Sequence, residues 1–568
     1  MLKGTKIAKT LSLMVVMALV FEASAGCSKS DSPKTPGAEI TPKASGSTPA
    51  AKTTEPKANT MPIVKDKITL NFVGMNMNTT RVGRHDETDM MKKLEQDTNI
   101  KIVWEMIPQA SWKEKKNLMI ASRQLPDAFM GPLSLNADEI QKFGADGVLI
   151  PLDKLLAEYA PTITGVMKDY PLYDTYTRSL DGKIYALARM EDLGFDSLST
   201  SVIRKEWLDK LGLKMPTTTE EFRNVLREFK AKDPAGNGKT IPFSFLYQEG
   251  PDINREVKRE HEWIFAAFGV YDNPKHVAID DNGQMVFTAD KDRYKEAVKY
   301  LNSLYSEGLI DKEVFTQDRT LLTNKVRNQL NVGVYTDYRM KESFVTKEIE
   351  DKFAIMPPLK GPHGDQKWLR ATTGLSDGAF AITSACKYPE AAIRWVDHIN
   401  EPELNIQMSY GMFKEEGYNK SEALVPSKAQ PGKYDVNTGS RPKEVNASDW
   451  PFSSPIAVSP TLTSKKLIDK YLADKPSNVA KNEACDVYRP YLTKNPYNYP
   501  YRFTVDEIEE LSLIQTDLLS YIFKTQAKWI SDGGIDAEWD NYLAQLKKLK
   551  VDKYLELYKK SYERSLKK

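Results

Sequence analysis

An α/β fold with many peripheral helices is predicted for this chain by three features: a β-α-β pattern at the start of the globular body, well-marked amphipathic helices through its middle, and a mostly helical stretch from about Thr504 to the end. In the opening pattern, Ile68, Leu70 and Phe72 alternate as a strand, Met90, Met91 and Leu94 share one helical face, and Ile100, Ile102, Trp104 and Met106 alternate again. Two strands joined through a helix pair parallel. A helix is expected from about Ser111 to Ser122, and Leu125 to Met130 as a third strand despite Pro126 and Asp127. Ligands of open parallel sheets bind at the carboxyl ends of the strands. The stretches Asn76 to Thr79 and Gly131 to Ser134 are therefore candidate ligand edges.

The later helices announce their ends. Thr218 and Glu221 have capping-box spacing, followed by Phe222, Val225, Leu226 and Phe229 on one face. Tyr294, Ala297, Val298, Leu301 and Tyr305 form another apolar face, which Gly308 stops. Glu390 to Ile399 follows Pro389 as a third helix. No tandem repeat of fixed period is present in the sequence.

With 568 residues the chain can form two or three average domains. Its 80 basic and 78 acidic side chains leave a formal charge of +2, without a long Lys/Arg run beyond the first residues. Such a balance argues against nucleic acid as a partner, which requires a clustered basic surface. The N-terminus reads as a processing signal. Lys3, Lys6 and Lys9 precede the apolar run Leu11 to Phe21, which is too short to span a bilayer. Ala23, Ser24, Ala25 and Gly26 then lead to Cys27, a pattern resembling the lipobox of bacterial lipoproteins, although Ser24 stands where Leu is usual. The resemblance implies a signal peptide over 1–26, diacylglycerol on Cys27 and attachment at the outer face of a Gram-positive-type cell membrane. Residues 27–62 are rich in Ser, Thr, Pro, Lys and Ala and are expected to form a disordered tether. Cys386 and Cys485 are expected to be free thiols.

Three motifs imitate enzymes and fail on context. Gly374-Leu-Ser376-Asp-Gly378 has the spacing of a serine-hydrolase elbow, but Ala379 to Thr383 after it reads as a strand where a helix is required. Gly238-Lys239-Thr240 ends like a P-loop, but Asp233 occupies the place of the first glycine. His261-Glu262 begins like a zinc-protease motif, and Phe265 stands where the second His must be. The chain is therefore expected to be no enzyme and to carry no cofactor or metal.

From about Lys67 the chain resembles the family 1 extracellular solute-binding proteins, in particular the large lipoprotein branch that includes the alginate-oligosaccharide binders. The resemblance rests on LPDAFMG at 125–131, GVLIPLDKLLAEYAP at 147–161, DGKIYALA at 181–188, WLDKLGLKMPTTTEEF at 207–222, YKEAVKYLNSLYSEGLID at 294–311, PPLKGPHGD at 357–365 and AFAITSACKYPEAAIRWVDHIN at 379–400. It implies a two-lobe periplasmic-binding-protein-like fold of type II, with discontinuous lobes joined by hinge strands. Carried onto this chain, lobe 1 takes 63–187 and 361–435, and lobe 2 takes 188–360 and 436–568. Crossings fall near Ala186 to Glu191, near Pro357 to Thr373 and after about residue 430. It further implies a monomer that captures an oligosaccharide by hinge closure and delivers it to ABC permease subunits in the membrane. A surface polysaccharide-active enzyme, and a binder of a peptide or other non-sugar solute, are the alternative readings.

Sugar sites pair Trp or Tyr platforms with planar polar groups, and 9 Trp and 27 Tyr are too many to choose among by type alone. Position selects candidates. Asn331 to Tyr338 reads as a buried strand bringing Tyr335, Asp337 and Tyr338 to its carboxyl end, a region that lines the cleft in the resembling family. Trp450 falls where the alginate-binding relatives place a stacking Trp. Arg189 and Glu191 lie past the first hinge strand, Asn76 and Asn78 follow the first strand, Trp112 opens the helix after the second, and Trp263 stands beside His261. Similar binders carry a calcium loop of the form D-x-N-x-N-G-x-x-D-E before I-P. Here Asp233 and Asn237 remain, Ala235 replaces an oxygen ligand and both acids are absent. Calcium requires six or more oxygen ligands. Calorimetric titration with calcium is expected to give no micromolar site, and a micromolar dissociation constant at this loop would overturn the reading.

Overall fold

The computed structural model describes residues 60–76, 88–131, 134–192, 200–236, 238–247, 261–337, 351–370, 374–413, 423–436, 462–473, 483–496 and 499–566. The signal and tether segments, apart from their last residues, lie outside this set, as do Cys27, Asn78, Asn237, Tyr338 and Trp450. Sixteen strands are formed among the described residues. In chain order they are β1 (Ile68–Asn76), β2 (Ile100–Pro108), β3 (Ala128–Met130), β4 (Leu187–Asp192), β5 (Thr200–Arg204), β6 (Ile241–Phe243), β7 (Val277–Ile279), β8 (Met285–Phe287), β9 (Val332–Asp337), β10 (Phe353–Ile355), β11 (Trp368–Arg370), β12 (Leu375–Ile382), β13 (Leu424–Pro426), β14 (Tyr434–Val436), β15 (Leu462–Ser464) and β16 (Leu492–Pro496).

The β-α-β opening forms as its periodicity predicts. β1 and β2 pair parallel, from Ile68 opposite Ile100 to Asn76 opposite Pro108. The helix between them, Asp89–Thr98, starts where the Thr88 hydroxyl accepts the Met91 amide at 3.3 Å and ends at Asn99, which takes a left-handed conformation. The third strand is shorter than expected, Ala128–Met130, because Pro126 has no amide to donate to a neighbour. Together these strands build one sheet in the order β15-β4-β12-β3-β1-β2. β12 runs antiparallel to both β3 and β4, and β15 runs parallel to β4. Leu70, Phe72, Met130 and Phe380 bury one set of side chains with Trp395 of the helix Pro389–Ile399. Val73, Met75, Phe129 and Ala381 bury the alternate set with Trp112 and Phe143, so a covered sheet reads as a nearly continuous apolar run.

A second sheet, in the order β10-β5-β9-β6, has its own core around Phe222, Phe243, Trp263, Leu301 and Val334. The capping box at its first long helix, Thr219–Lys232, is made: the Thr218 hydroxyl accepts the Glu221 amide at 3.1 Å, and the Glu221 carboxylate accepts the Thr218 amide at 3.3 Å. The C-terminal helices Val505–Asp532, Ile535–Lys548 and Val551–Leu566 belong to this second core through Leu518, Trp529, Tyr542 and Tyr554. Gln526 links them to elements earlier in the chain, receiving the Tyr247 hydroxyl at 2.8 Å and donating to the Tyr294 hydroxyl at 2.7 Å.

Two sheets with separate cores make two lobes, and the chain passes between them after β4, between β10 and β12, and after β15. The lobe limits expected from the resemblance need correction. β4 reaches Asp192 and β15 spans Leu462–Ser464, and both are strands of the first sheet. Residues 361–370 belong with the second core instead, since Trp368 is buried there and Arg293 pairs with Asp365 at 2.7 Å. The expected limits followed motif edges, whereas strand pairing decides sheet membership and is not visible in local sequence.

Trp395 carries the helix Pro389–Ile399 onto the first sheet, with its ring 5.8 Å from that of Phe72 and nearly perpendicular to it. Trp395→Ala is expected to lower stability by about 3–5 kcal/mol, read as a reduced denaturation midpoint with an unchanged denaturant slope.

Candidate functional site

The strand ends that face the crossings carry the polar groups. On β4, side chains two residues apart share a face, and there Arg189 Nη1 meets a Glu191 carboxylate oxygen at 2.9 Å. Arg189 stands opposite Ser376 of β12, and Glu191 opposite Thr463 of β15. The pair is partly exposed, on the last strand before the chain leaves the first lobe. β1 delivers Asn76 and β9 delivers Asp337 as final residues of parallel strands. Only their backbone positions are described.

The other expected platforms lie inside the lobes. Trp112 is 3% exposed, its indole donates to the Ser134 carbonyl at 3.1 Å, and its ring packs edge-on against Phe129. Tyr335 is 3% exposed and packs perpendicular to Phe353. Trp263, 5% exposed, packs against Phe222, Phe243 and Trp368 and donates to the Thr336 hydroxyl at 2.9 Å. These three rings are covered by protein and present no free face to a sugar, a correction to their expected role. The reason is shared: each sits on an apolar stretch whose neighbours close over it, and a Trp or Tyr is a large source of buried apolar area before it is a platform.

Trp263 instead joins a stack that supports the crossings. Trp368 lies between it and Tyr488, whose ring is parallel to that of Trp368 with centroids 4.0 Å apart. The Tyr488 hydroxyl accepts the Ser201 amide at 3.1 Å and lies 3.2 Å from the Met356 carbonyl. Ser201 follows the first crossing, Met356 and Trp368 lie on the second, and Tyr488 follows the third. Burial pushes the Tyr488 phenol well above its ordinary value, so it stays protonated and able to donate.

A second polar group spans the lobes and was not anticipated from the sequence. Arg502, just before the helix Val505–Asp532, donates to Asp377 of β12 at 3.0 Å and to the Tyr176 carbonyl at 2.8 Å. Its guanidinium also lies 4.8 Å from the Tyr176 ring centre. Gly378, beside Asp377, has φ +58° and lies so close to the Leu135 carbonyl that a Cβ would sit 2.1 Å from that oxygen. Asp138 stands in the same seam, facing the charges of Lys275, Arg502 and Asp377. Burial pushes its carboxyl from 3.8 up to about 6 despite the two cations. No sequence signal could have found this group, because Asp138, Asp377 and Arg502 are far apart along the chain, and the motif around Asp377 points to a different chemistry.

Neither the serine-hydrolase nor the P-loop imitation survives in three dimensions. Ser376 lies within β12, not on a strand-to-helix turn. Both carboxylate oxygens of Asp233 are used within its own loop, one accepting the Gly238 amide at 2.7 Å and the other the Thr240 hydroxyl at 2.5 Å. The Thr240 hydroxyl holds that carboxyl below its ordinary value. Among the described residues, no group of three or more His, Cys, Asp or Glu could hold a metal ion.

Two lobes joined by three crossings are the architecture of a protein that encloses a solute. The family model described as bacterial extracellular solute-binding protein matches residues 86–406. The chain belongs to that family. Among relatives of this solute-binding protein, it is 32% identical over 489 residues to the fructooligosaccharide ABC transporter substrate-binding protein FusA of Streptococcus pneumoniae, covering 84% of this chain and 87% of FusA. It is 24% identical over 496 residues to the polygalacturonan/rhamnogalacturonan-binding protein YtcQ of Bacillus subtilis, covering 80% and 88%. The solved structure of S. pneumoniae FusA in complex with kestose superposes with a TM-score of 0.75 at 27% identity, covering 88% of this chain and 99% of that one. The type II two-lobe fold expected for this binding protein is thereby established.

Proposed function

We propose that this protein is the extracellular solute-binding component of an ABC importer and captures an oligosaccharide between its lobes. The observation that carries the reading is the two-lobe body with three crossings, together with its likeness over 84% of the chain to a fructooligosaccharide-binding relative. The Arg189–Glu191 pair at the first crossing supplies planar, charged hydrogen-bonding groups suited to sugar hydroxyls. Asn76 and Asp337 add polar groups at strand ends, and Asn78, Tyr338 and Trp450 are further candidates by sequence. Hinge closure brings the two sets onto one ligand, and the ligand shifts the population toward the closed form because it contacts both lobes there. Binding without turnover is the activity of such a site. Membrane permease subunits are the partners, and the body acts as a monomer.

Cys27 carries the anchor in this reading, because the residues leading to it have the spacing of a lipobox. Cys27→Ser is expected to move the protein from the membrane fraction to the medium. Unchanged membrane retention would remove lipid on Cys27 from the account.

The ligand class is tested by thermal shift against kestose, nystose, alginate and galacturonate oligosaccharides and a peptide panel. A ligand at 100 times its dissociation constant is expected to stabilise by about 2.7 kcal/mol. Arg189→Met is expected to weaken the response to the sugar that binds while leaving the ligand-free midpoint nearly unchanged. Stabilisation by peptides alone, or release of shorter saccharides on incubation, would defeat the proposal.

A further inference from the structure

The two lobes meet across a seam of charge as well as through their crossings. On the first lobe it contains Asp138 at the start of the helix Ala137–Ala145, Asp377 on β12 and Tyr176 on the helix Pro171–Thr177. On the second it contains Arg502 and Lys275. Each side is fixed within its own lobe. The Arg502 amide donates to the Ser561 hydroxyl at 2.8 Å, and the Arg502 carbonyl accepts from Arg564 at 2.9 Å, which ties the residue to the last helix. The Lys275 carbonyl accepts the Tyr554 hydroxyl at 3.0 Å, and the Lys275 ammonium lies over the Tyr501 ring. Asp377 sits on a strand whose next residue, Gly378, leaves no room for a side chain. A weaker outer pair, Lys142 of the helix Ala137–Ala145 with Glu509 of the helix Val505–Asp532 at 3.6 Å, lies between the same two lobes.

We infer that the Arg502–Asp377 pair, with the Arg502 bond to the Tyr176 carbonyl, is a clasp that sets the balance between lobe arrangements, favouring the one seen here. The inference rests on the lobe movement proposed above. Charge pairs anchored on opposite rigid bodies are made or broken together when those bodies rotate, and so act on a population rather than on local stability. The clasp is also sensitive to acid. Asp138 faces Lys275, Arg502, Asp377 and, from the last helix, Tyr558, with Glu139 beside it on its own helix. Its carboxyl is raised from 3.8 to about 6, so the packed arrangement binds a proton that an open, solvated Asp138 would release. The Asp138 contribution is therefore complete below its ordinary value and is lost as pH rises through about 6. Burial also holds the Lys275 ammonium below its ordinary value, which does not add to the acid response.

The test is the interlobe distance in the mature chain without ligand. Spin labels are placed at Leu118→Cys on the first lobe and Lys547→Cys on the second, in a Cys27→Ser, Cys386→Ser background, and distances are read at pH 5 and pH 7.5. The clasp predicts that Arg502→Met and Asp377→Asn lower the ratio of the present arrangement to all others by about fivefold or more. It also predicts that wild type shifts toward the present arrangement at pH 5, and that Asp138→Asn abolishes that pH response. Distance distributions unchanged in both Arg502→Met and Asp377→Asn would overturn the clasp, as would an undiminished pH response in Asp138→Asn. Added kestose reports separately: if it leaves the wild-type distance unchanged while the variants shift, the sugar-driven closure fails and the clasp stands.

Discussion

Three separate passages of chain must be held in one place for two lobes to act as a pair, and the Tyr488 hydroxyl is where that is done. It bonds to Ser201 beyond the first crossing and to Met356 at the start of the second, while its own residue follows the third. The ring is fixed by parallel stacking on Trp368. A phenol combines apolar area with one polar tip, so a single side chain can be clamped by packing and still satisfy buried backbone groups. The second sheet inherits its register with the crossings from this point. The Ser201 hydroxyl reaches Thr336 on the neighbouring strand at 2.9 Å, and Thr336 in turn receives the Trp263 indole.

The two lobes solve the same packing problem differently. The first wraps one sheet with helices on both faces, and its cores hold Phe72 and Phe129 on alternate sides. The second has a small sheet of short strands that could not cover itself, and it depends on the C-terminal helices for area. Tyr294, Trp529, Tyr542 and Tyr554, all nearly without exposure, belong to that arrangement. The first of those helices and the residues just before it supply Glu509 and Arg502 to the seam with the first lobe. The element that completes one core is thus the element that meets the other lobe.

Much of the fold was legible because its signals are local. The alternation of Ile68, Leu70 and Phe72, the Thr218–Glu221 box and the stop at Gly308 each act within a few residues, and each forms as read. The lobe limits were less legible, since β4 and β15 join the first sheet through pairing with strands distant in sequence. The site was least legible. Periodicity tells which side chains are large and apolar, but a platform and a core residue have the same periodicity. Trp112, Trp263 and Tyr335 were therefore indistinguishable from cleft residues until their neighbours were known. Arg189 and Glu191 were selected by position along the chain, and they lie partly exposed on β4 as an ion pair.

Arg394, almost fully buried on the helix Pro389–Ile399, donates to the Ile63 carbonyl at 2.9 Å and the Thr60 carbonyl at 3.0 Å. The chain ahead of the body is therefore fastened to the first lobe. Any mechanical load carried along that leading segment enters through this guanidinium and the adjoining backbone bond from Ile63 to Thr98. The second lobe is joined to that attachment only through the connecting strands.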